Sequence, residues 1–140
     1  MTKRDYLDHL ADVPLFAACG KNDLKLIARR AEDVYVKKGK ELVTEGKPGH
    51  EFFVIAEGQA TVKAKGKKVA TLKKGDYFGE LALLDRAPRN ATVVADGDME
   101  LFVLGQREFA GLLDEVPGLA HKLLAGMARR LREADSRLNH

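Results

Sequence analysis

The sequence predicts a mainly β fold with flanking helices: an antiparallel jelly-roll β-barrel or sandwich with N-terminal helices before it and C-terminal helices after it. Short apolar segments with strand periodicity fill the middle of the chain, and glycines separate them. Helical periodicity precedes and follows this region. The 140 residues are the size of one ordinary domain. We therefore divide a single domain, 1–140, into a helical segment 1–32, a β-roll 33–104 and helices in 106–140.

The N-terminal segment is predicted to contain two helices. Four apolar residues near the start recur at helical spacing: Tyr6, Leu7, Leu10 and Val13. Asn22 or Asp23 is expected to cap the second helix, because short polar side chains accept hydrogen bonds from the free N–H groups of a helix start. The apolar face of that helix would comprise Leu24, Ile27 and Ala28.

The segment 33–104 is predicted to contain the strands. Apolar alternation or short apolar runs occur at 34–36, 42–43, 52–55, 60–64, 69–72, 91–95 and 101–104. Glycines at 39, 46, 49, 58, 66 and 75 mark turns between or beside these segments. Short strands with regular turn signals are typical of sandwiches and barrels of the jelly-roll kind.

After Gly105 the helical period returns. One helix carries Glu108, Phe109, Leu112 and Leu113, and it should end before Pro117. Pro117 suits the first turn of a second helix, where its missing N–H has no intrahelical partner to lose. The apolar stripe of this last helix is Leu119, Leu123, Leu124, Met127 and Leu131.

Composition excludes several classes of protein. No apolar run could span a bilayer and the N-terminus is too polar for a signal peptide, so we expect no membrane contact. A single cysteine, Cys19, fits a reducing cytoplasm. The net charge of +3 is too mild to indicate a nucleic-acid binder. The four histidines lack metal-ligand spacing and no nucleophile is recognisable, so we expect no metal, no cofactor and no enzymatic activity.

Six lysines in the segment 63–74 have no acidic residue between them: Lys63, Lys65, Lys67, Lys68, Lys73 and Lys74. We expect these lysines to keep the edges of a tight hairpin soluble, since edge charges discourage sheet addition. The alternative is that they attract anionic ligands or contact nucleic acid.

The most informative stretch is 78–93, which joins two apolar runs through a charged loop. Glu80 can accept hydrogen bonds from hydroxyl groups, and Arg89 can bind an anion through its planar set of donors. Gly79 permits close approach of a ligand, and Pro88 stiffens the loop. A hydroxyl beside a phosphate describes a sugar phosphate or nucleotide. The simpler alternative is a structural ion pair between Glu80 and Arg89.

This stretch resembles the phosphate-binding cassette of the cyclic nucleotide-binding domain family, as in the catabolite activator protein, kinase regulatory subunits and cyclic-nucleotide-gated channels. The family pattern is Phe-Gly-Glu-Leu-Ala-Leu, a short loop, then Pro-Arg-Ala-Ala-Thr-Val. The chain matches it nearly throughout and departs at Asn90, where relatives carry Ala, Ser or Thr. Segments 13–16 and 46–58 resemble the family's entry segment and central hairpin, so the resemblance covers nearly the whole chain.

The resemblance implies a cyclic nucleotide site. Glu80 would accept the ribose 2′-hydroxyl, Arg89 and the Ala82 amide would bind the phosphate, and Asn90 or Ala91 would supply a second amide. The expected ligand-binding residues are Phe78, Gly79, Glu80, Leu81, Ala82, Pro88, Arg89, Asn90 and Ala91. We expect cAMP in preference to cGMP, because it is the commoner ligand of similar domains.

The resemblance also implies signalling by movement of the C-terminal helix, which in relatives closes over the base. The hinge would lie near Phe109, Leu112 and Leu113, and the lid would be the helix from Pro117 onward. Three residues are candidates for the base contact: Met127, Arg130 and Leu131. The sequence does not choose among them.

Two functions from different classes stay open. The first is a cyclic nucleotide receptor whose C-terminal helix contacts a protein effector or a second copy as a homodimer. The second is a degenerate domain of the same fold that acts as an interaction or scaffold module without nucleotide. Direct DNA binding is not expected, because the DNA-reading domain of transcription-regulating relatives would have to begin where this chain stops, at His140.

Overall fold

The computed structural model describes residues 7, 8, 10–17 and 19–138, with the side chains of all of these except 81, 85 and 134–138. Its helices are α1 (Lys21–Arg30), α2 (Glu80–Asp85), α3 (Gln106–Glu115) and α4 (Pro117–Leu138), and a short 3-10 turn covers Pro14–Phe16. Its strands are β1 (Glu32–Val36), β2 (Glu41–Val43), β3 (Glu51–Glu57), β4 (Ala60–Ala64), β5 (Lys67–Leu72), β6 (Tyr77–Phe78), β7 (Thr92–Ala95) and β8 (Met99–Gly105).

The strands form two antiparallel four-stranded sheets that pack as a sandwich. One sheet has the order β1-β8-β3-β6 and the other the order β2-β7-β4-β5. The helices precede and follow the strands in the chain, except for α2, which lies between β6 and β7. The predicted fold class, a β-sandwich with flanking helices, is therefore confirmed.

Strand β3 is buried on both faces, which explains why its sequence is an unbroken apolar run. Phe52 and Val54 belong to the cluster that packs against the helices, whereas Phe53 and Ile55 belong to the cluster between the two sheets. Successive side chains of a strand point to opposite faces, so each face of β3 contributes to a different core. Strand β8 divides its apolar residues between the same two clusters.

The start of α1 differs from the prediction. The residue before the helix is Gly20, and no side chain caps the first turn; Asn22 and Asp23 lie inside the helix instead of at its cap. Gly20 is an acceptable N-cap residue, and its extended backbone begins the helix two to three residues earlier than the polar side chains suggested. The expected apolar face is present, with Ile27 fully buried and packed beside Leu24 and Ala28.

The first predicted helix lies partly outside the described residues, and so does Tyr6. Residues 7, 8, 10 and 11 are helical, and both Leu10 and Val13 are buried in the helix-side core. At the other end, α4 begins at Pro117 as predicted, since proline needs no intrahelical hydrogen-bond acceptor in a first turn.

Candidate functional site

A cavity of about 510 Å³ lies between the second sheet, the segment 78–93 and helix α4. Eight of the nine predicted ligand-binding residues line it: Phe78, Gly79, Glu80, Ala82, Pro88, Arg89, Asn90 and Ala91. The side chain of the ninth, Leu81, lies outside those described. We refer to residues 78–93 as the cassette from here on.

The cassette turns into helix α2 at Gly79. This residue has φ +95°, a left-handed conformation that side chains rarely adopt. A Cβ at position 79 would also lie 2.8 Å from Arg89 Nη1 and 2.8 Å from the carbonyl oxygen of Glu51. The glycine therefore permits both the sharp turn and the close approach of the arginine.

Arg89 is buried and held in place by backbone carbonyls. Its Nη1 donates to the carbonyl oxygen of Gly79 at 2.9 Å, and its Nη2 donates to that of Glu51 at 2.8 Å. Burial lowers the pKa of this guanidinium, although the charges of Glu51 and Glu80 act in the opposite direction. Among the described residues Arg89 forms no ion pair, so its positive charge is oriented without being neutralised by a contacting carboxylate.

Glu80 is the first residue of α2, and only 2% of its surface is exposed. Burial raises the pKa of its carboxyl group, while its own backbone N–H and the charges of Arg130 and Arg89 oppose the rise. The carboxylate accepts a hydrogen bond from Arg130 Nη1 at 2.8 Å. The alternative of a structural ion pair between Glu80 and Arg89 is therefore wrong, because each group has a different partner.

Helix α4 covers the cavity with Arg130 and Glu133. Arg130 also donates to the carbonyl oxygen of Tyr77 at 3.2 Å, and its guanidinium carbon lies 4.7 Å from the centroid of the Tyr77 ring. Of the three candidates for a base contact, only Arg130 lines the cavity. Met127 packs against the helix-side core, and Leu131 is 65% exposed.

The other wall of the cavity is apolar. Its side chains come from strands β2, β4, β5 and β7: Val43, Val62, Ala70, Leu72 and Val93. The predicted ligand-binding residue Phe78 lines the cavity beside this wall, and its ring is stacked on Phe53 with centroids 4.8 Å apart. This wall suits a flat apolar group such as a nucleobase, and the charged cassette lies beside it.

Sequence reasoning missed two residues that position helix α4. The Tyr77 carbonyl oxygen accepts a hydrogen bond from Arg130, and the Tyr77 ring makes a cation–π contact with the same guanidinium. Gly126 of α4 lies directly against the Tyr77 hydroxyl. Neither position has a spacing or motif that would have indicated this contact. Within the cassette helix Leu83 is buried in the helix-side core, whereas Leu84 is exposed.

The described residues hold no group of three or more His, Cys, Asp or Glu side chains placed to bind a metal. Within the same part of the chain, no helix has the length and apolar character needed to cross a membrane.

Comparisons with known proteins agree with this geometry. Residues 33–116 match the model of the cyclic nucleotide-binding domain. The chain is 36% identical over 120 residues to a cAMP-dependent protein kinase regulatory subunit of Hypocrea atroviridis, covering 86% of this chain and 26% of that protein. The chain thus spans about a quarter to a third of the length of the first curated relatives it matches.

Solved structures show the same jelly-roll fold. The Thermus thermophilus catabolite activator protein superposes with a TM-score of 0.82 and 33% identity, over 90% of this chain and 62% of that one. PKAR CBD2 bound to Sp-2Cl-cAMPS superposes with a TM-score of 0.79 and 29% identity, over 94% of this chain and 90% of that one. Domains of this type are regulatory and non-catalytic. The match over residues 33–116 shows that the chain belongs to the cyclic nucleotide-binding domain family.

Proposed function

We propose that this domain binds a cyclic nucleotide, cAMP in preference to cGMP, and signals its presence through helix α4. The observation that carries the proposal is the placement of two buried, oppositely charged side chains, Glu80 and Arg89, along one wall of the cavity without contact between them. A cyclic phosphate has one negative charge, so a single oriented arginine balances it.

The cassette residues take distinct roles in this proposal. Arg89 and the backbone amides of Ala82 and of Asn90 or Ala91 bind the phosphate. Glu80 has two carboxylate oxygens, and Arg130 contacts Oε1, so Oε2 is the acceptor for the ribose 2′-hydroxyl. Phe78, Gly79, Leu81 and Pro88 shape the loop around these groups.

The preference for cAMP is supported by the apolar wall. Adenine has fewer strongly polar edge groups than guanine, which carries a carbonyl, a ring N–H and an amino group. Burying such groups against Val62, Ala70 and Leu72 without hydrogen-bond partners costs free energy. Adenine therefore loses less favourable hydration than guanine when it is buried against this wall.

The signal is a change in the position of α4. The helix already contacts the cassette through Arg130, and the hinge residues Phe109 and Leu112 are buried where α3 packs on β3. A ligand that contacts both the cassette and Arg130 binds the closed arrangement better than the open one, and this differential affinity shifts the population. A cytoplasmic location stays a prediction.

The output surface is the outer side of α4. Leu124 is 63% exposed and Leu131 is 65% exposed, and they are separated by seven residues, so they lie on one helix face. We assign this face to a protein partner. Sedimentation at increasing concentration distinguishes a homodimer, whose mass rises with concentration, from a separate effector, for which the chain stays monomeric.

A degenerate domain without nucleotide binding is the second candidate. The observation that favours it is that Arg130, a residue of the chain itself, contacts the carboxylate assigned to the ribose. Under this reading the contact is purely structural, and α4 would hold one fixed position.

Calorimetric titration of the whole chain with cAMP and cGMP decides between the two functions. We expect binding of cAMP, and a loss of about 100-fold in affinity for Arg89→Ala, because a buried charge-assisted contact is removed. Arg107→Ala, at an exposed arginine, is the matched control and should bind normally. Circular dichroism checks that both variants are folded. If neither nucleotide gives a heat of binding, the domain is the degenerate one.

A further inference from the structure

Strand β5 forms the outer edge of the second sheet. It pairs with β4 on one side, and within the described residues no strand pairs with it on the other. Its first four residues, 67–70, are exposed, and Val69 is exposed to 55%. The pairing register passes from Val62–Ala70 to Lys63–Lys68, which leaves Val69 unpaired in a bulge. The free side of β5 therefore presents backbone hydrogen-bonding groups to any chain that lies beside it.

The charged side chains of the β4–β5 hairpin itself are all lysines, and the nearby Glu45 carboxylate accepts a hydrogen bond from the backbone N–H of Lys65 at 2.9 Å. Lys63 lies directly opposite Lys68, so their side chains project from the same face, and like charges in this position destabilise a pair of strands. Lys65 lies in the turn and Lys67 lies opposite Ala64. None of these four lysines forms an ion pair within the described part of the chain, whereas Lys74 is paired with Glu57 at 3.1 Å.

We propose that the free edge of β5 docks an acidic, extended segment of a partner protein, which adds to the second sheet as a further strand. Carboxylates on that strand would lie beside Lys67 and Lys68 of β5, one on each face of the sheet, and would offset the repulsion between Lys68 and Lys63 of β4. Main-chain hydrogen bonds would supply the alignment, as in other cases of strand addition. The exposed lysines of this edge do not line the nucleotide cavity, although Ala70 and Leu72 of the same strand do. The proposal does not depend on nucleotide binding.

The same lysines explain why the edge is selective. Lysines at an edge repel basic strands, including the β5 edge of a second copy of this chain, and they disfavour neutral strands, which offer no counter-charge for lysines that lose hydration. An acidic strand converts each repulsion into an attraction. The β5 edge has no exposed aromatic side chain on which nucleic-acid bases could stack. Val69 is its single large exposed apolar side chain, which is too little for insertion into a membrane.

The test uses the whole 140-residue chain and a synthetic ten-residue peptide that alternates Glu with Thr. Titration followed by amide NMR should shift the resonances of Lys67–Leu72 and slow their hydrogen exchange. Lys67→Glu with Lys68→Glu should weaken the peptide at least about tenfold, because attractive cross-strand pairs become repulsive. Lys21→Glu with Lys40→Glu makes the same charge change at distant exposed sites and should have little effect. Thermal melting confirms that both double variants are folded.

Two further experiments test whether the peptide adds as a strand and whether the partner is a protein segment. A peptide with the same sequence but N-methylated at alternate residues keeps its carboxylates and cannot add as a strand, so it should bind at least about tenfold more weakly. Equal binding of both peptides overturns strand addition. The chain is also titrated with a single-stranded oligonucleotide and with vesicles that contain phosphatidylserine. If either binds more tightly than the peptide and depends on the lysines, the assignment to an acidic protein segment is overturned.

Discussion

Arg130 of helix α4 donates a hydrogen bond of 2.8 Å to the buried carboxylate of Glu80, at the first residue of the cassette helix. The two residues are fifty positions apart in the chain, and this contact joins the lid to the part of the site assigned to ribose. The Arg130 guanidinium also lies over the Tyr77 ring and donates to the Tyr77 carbonyl oxygen, so one side chain of α4 contacts two residues around the start of the cassette. The behaviour of the lid should therefore depend on the charge of Glu80.

Replacing Arg130 by alanine should destabilise the fold in a pH-dependent way. The variant leaves the buried Glu80 carboxylate without its cation, and we expect a loss of about 1 kcal/mol near neutral pH, moderated because Arg130 is half exposed. The loss should shrink at acidic pH, where Glu80 takes up a proton. Denaturant unfolding at both pH values measures it, with the exposed Arg132→Ala as the control. An equal loss at both pH values would contradict the role assigned to Glu80.

Glu80 should also make the stability of the native chain depend on pH. Burial raises its pKa in the folded state, so the folded chain holds the proton more tightly than the unfolded chain does. This contribution is complete below the unfolded pKa of about 4.3, and it is lost as the pH rises through the higher folded pKa. In Glu80→Gln the unfolding free energy should fall less over the same interval, as measured by denaturant unfolding.

The exposed Glu32→Gln serves as the control for this measurement and should follow the native curve. The affinity for cAMP should change with pH in the opposite direction to the contribution of Glu80 to stability, because the ionised carboxylate is the better acceptor for a ribose hydroxyl. Binding of cAMP by the native chain should thus weaken as the pH falls through the raised pKa of Glu80. A native curve that coincides with that of Glu80→Gln argues against a raised pKa.

Gly49 should be necessary for the position of Arg89. A Cβ at position 49 would overlap the Arg89 guanidinium and lie 2.8 Å from the Cβ of Ala82. Gly49→Ala therefore displaces the guanidinium while keeping its charge, and we expect cAMP affinity to fall about tenfold or more. Gly97→Ala is the matched control, since a Cβ there meets nothing within 4 Å. Calorimetry compares the two, and normal binding by Gly49→Ala would show that the exact position of Arg89 is unimportant.

Gly126 should set how closely α4 approaches the cavity. A Cβ at position 126 would overlap the hydroxyl of Tyr77, so Gly126→Ala should push the helix outward and destabilise the chain. This reverses the usual gain of about 1 kcal/mol for a glycine-to-alanine change inside a helix. Tyr77→Phe removes the overlapping oxygen, so the double variant should recover stability in a thermal melt. Gly118→Ala, where a Cβ has open space, is the control.

Local patterns were sufficient for most of the elements, because strand alternation and helical spacing are properties of neighbouring residues. The start of α4 at Pro117 and the apolar run of β3 could both be recognised in this way. The start of α1 could not, since Gly20 and the polar residues at 22 and 23 are all acceptable caps and the choice depends on packing around Ile27.

The sequence by itself determined the fold class and the cassette, because each depends on residues that lie close together in the chain. Tertiary structure alone decided the partners of the two charged groups. Glu80 contacts Arg130 and Arg89 contacts the carbonyls of Gly79 and Glu51, whereas spacing alone also allowed Glu80 and Arg89 to pair with each other. Contacts between residues distant in the chain depend on how α4 packs across the sandwich, and a one-dimensional pattern does not contain that packing.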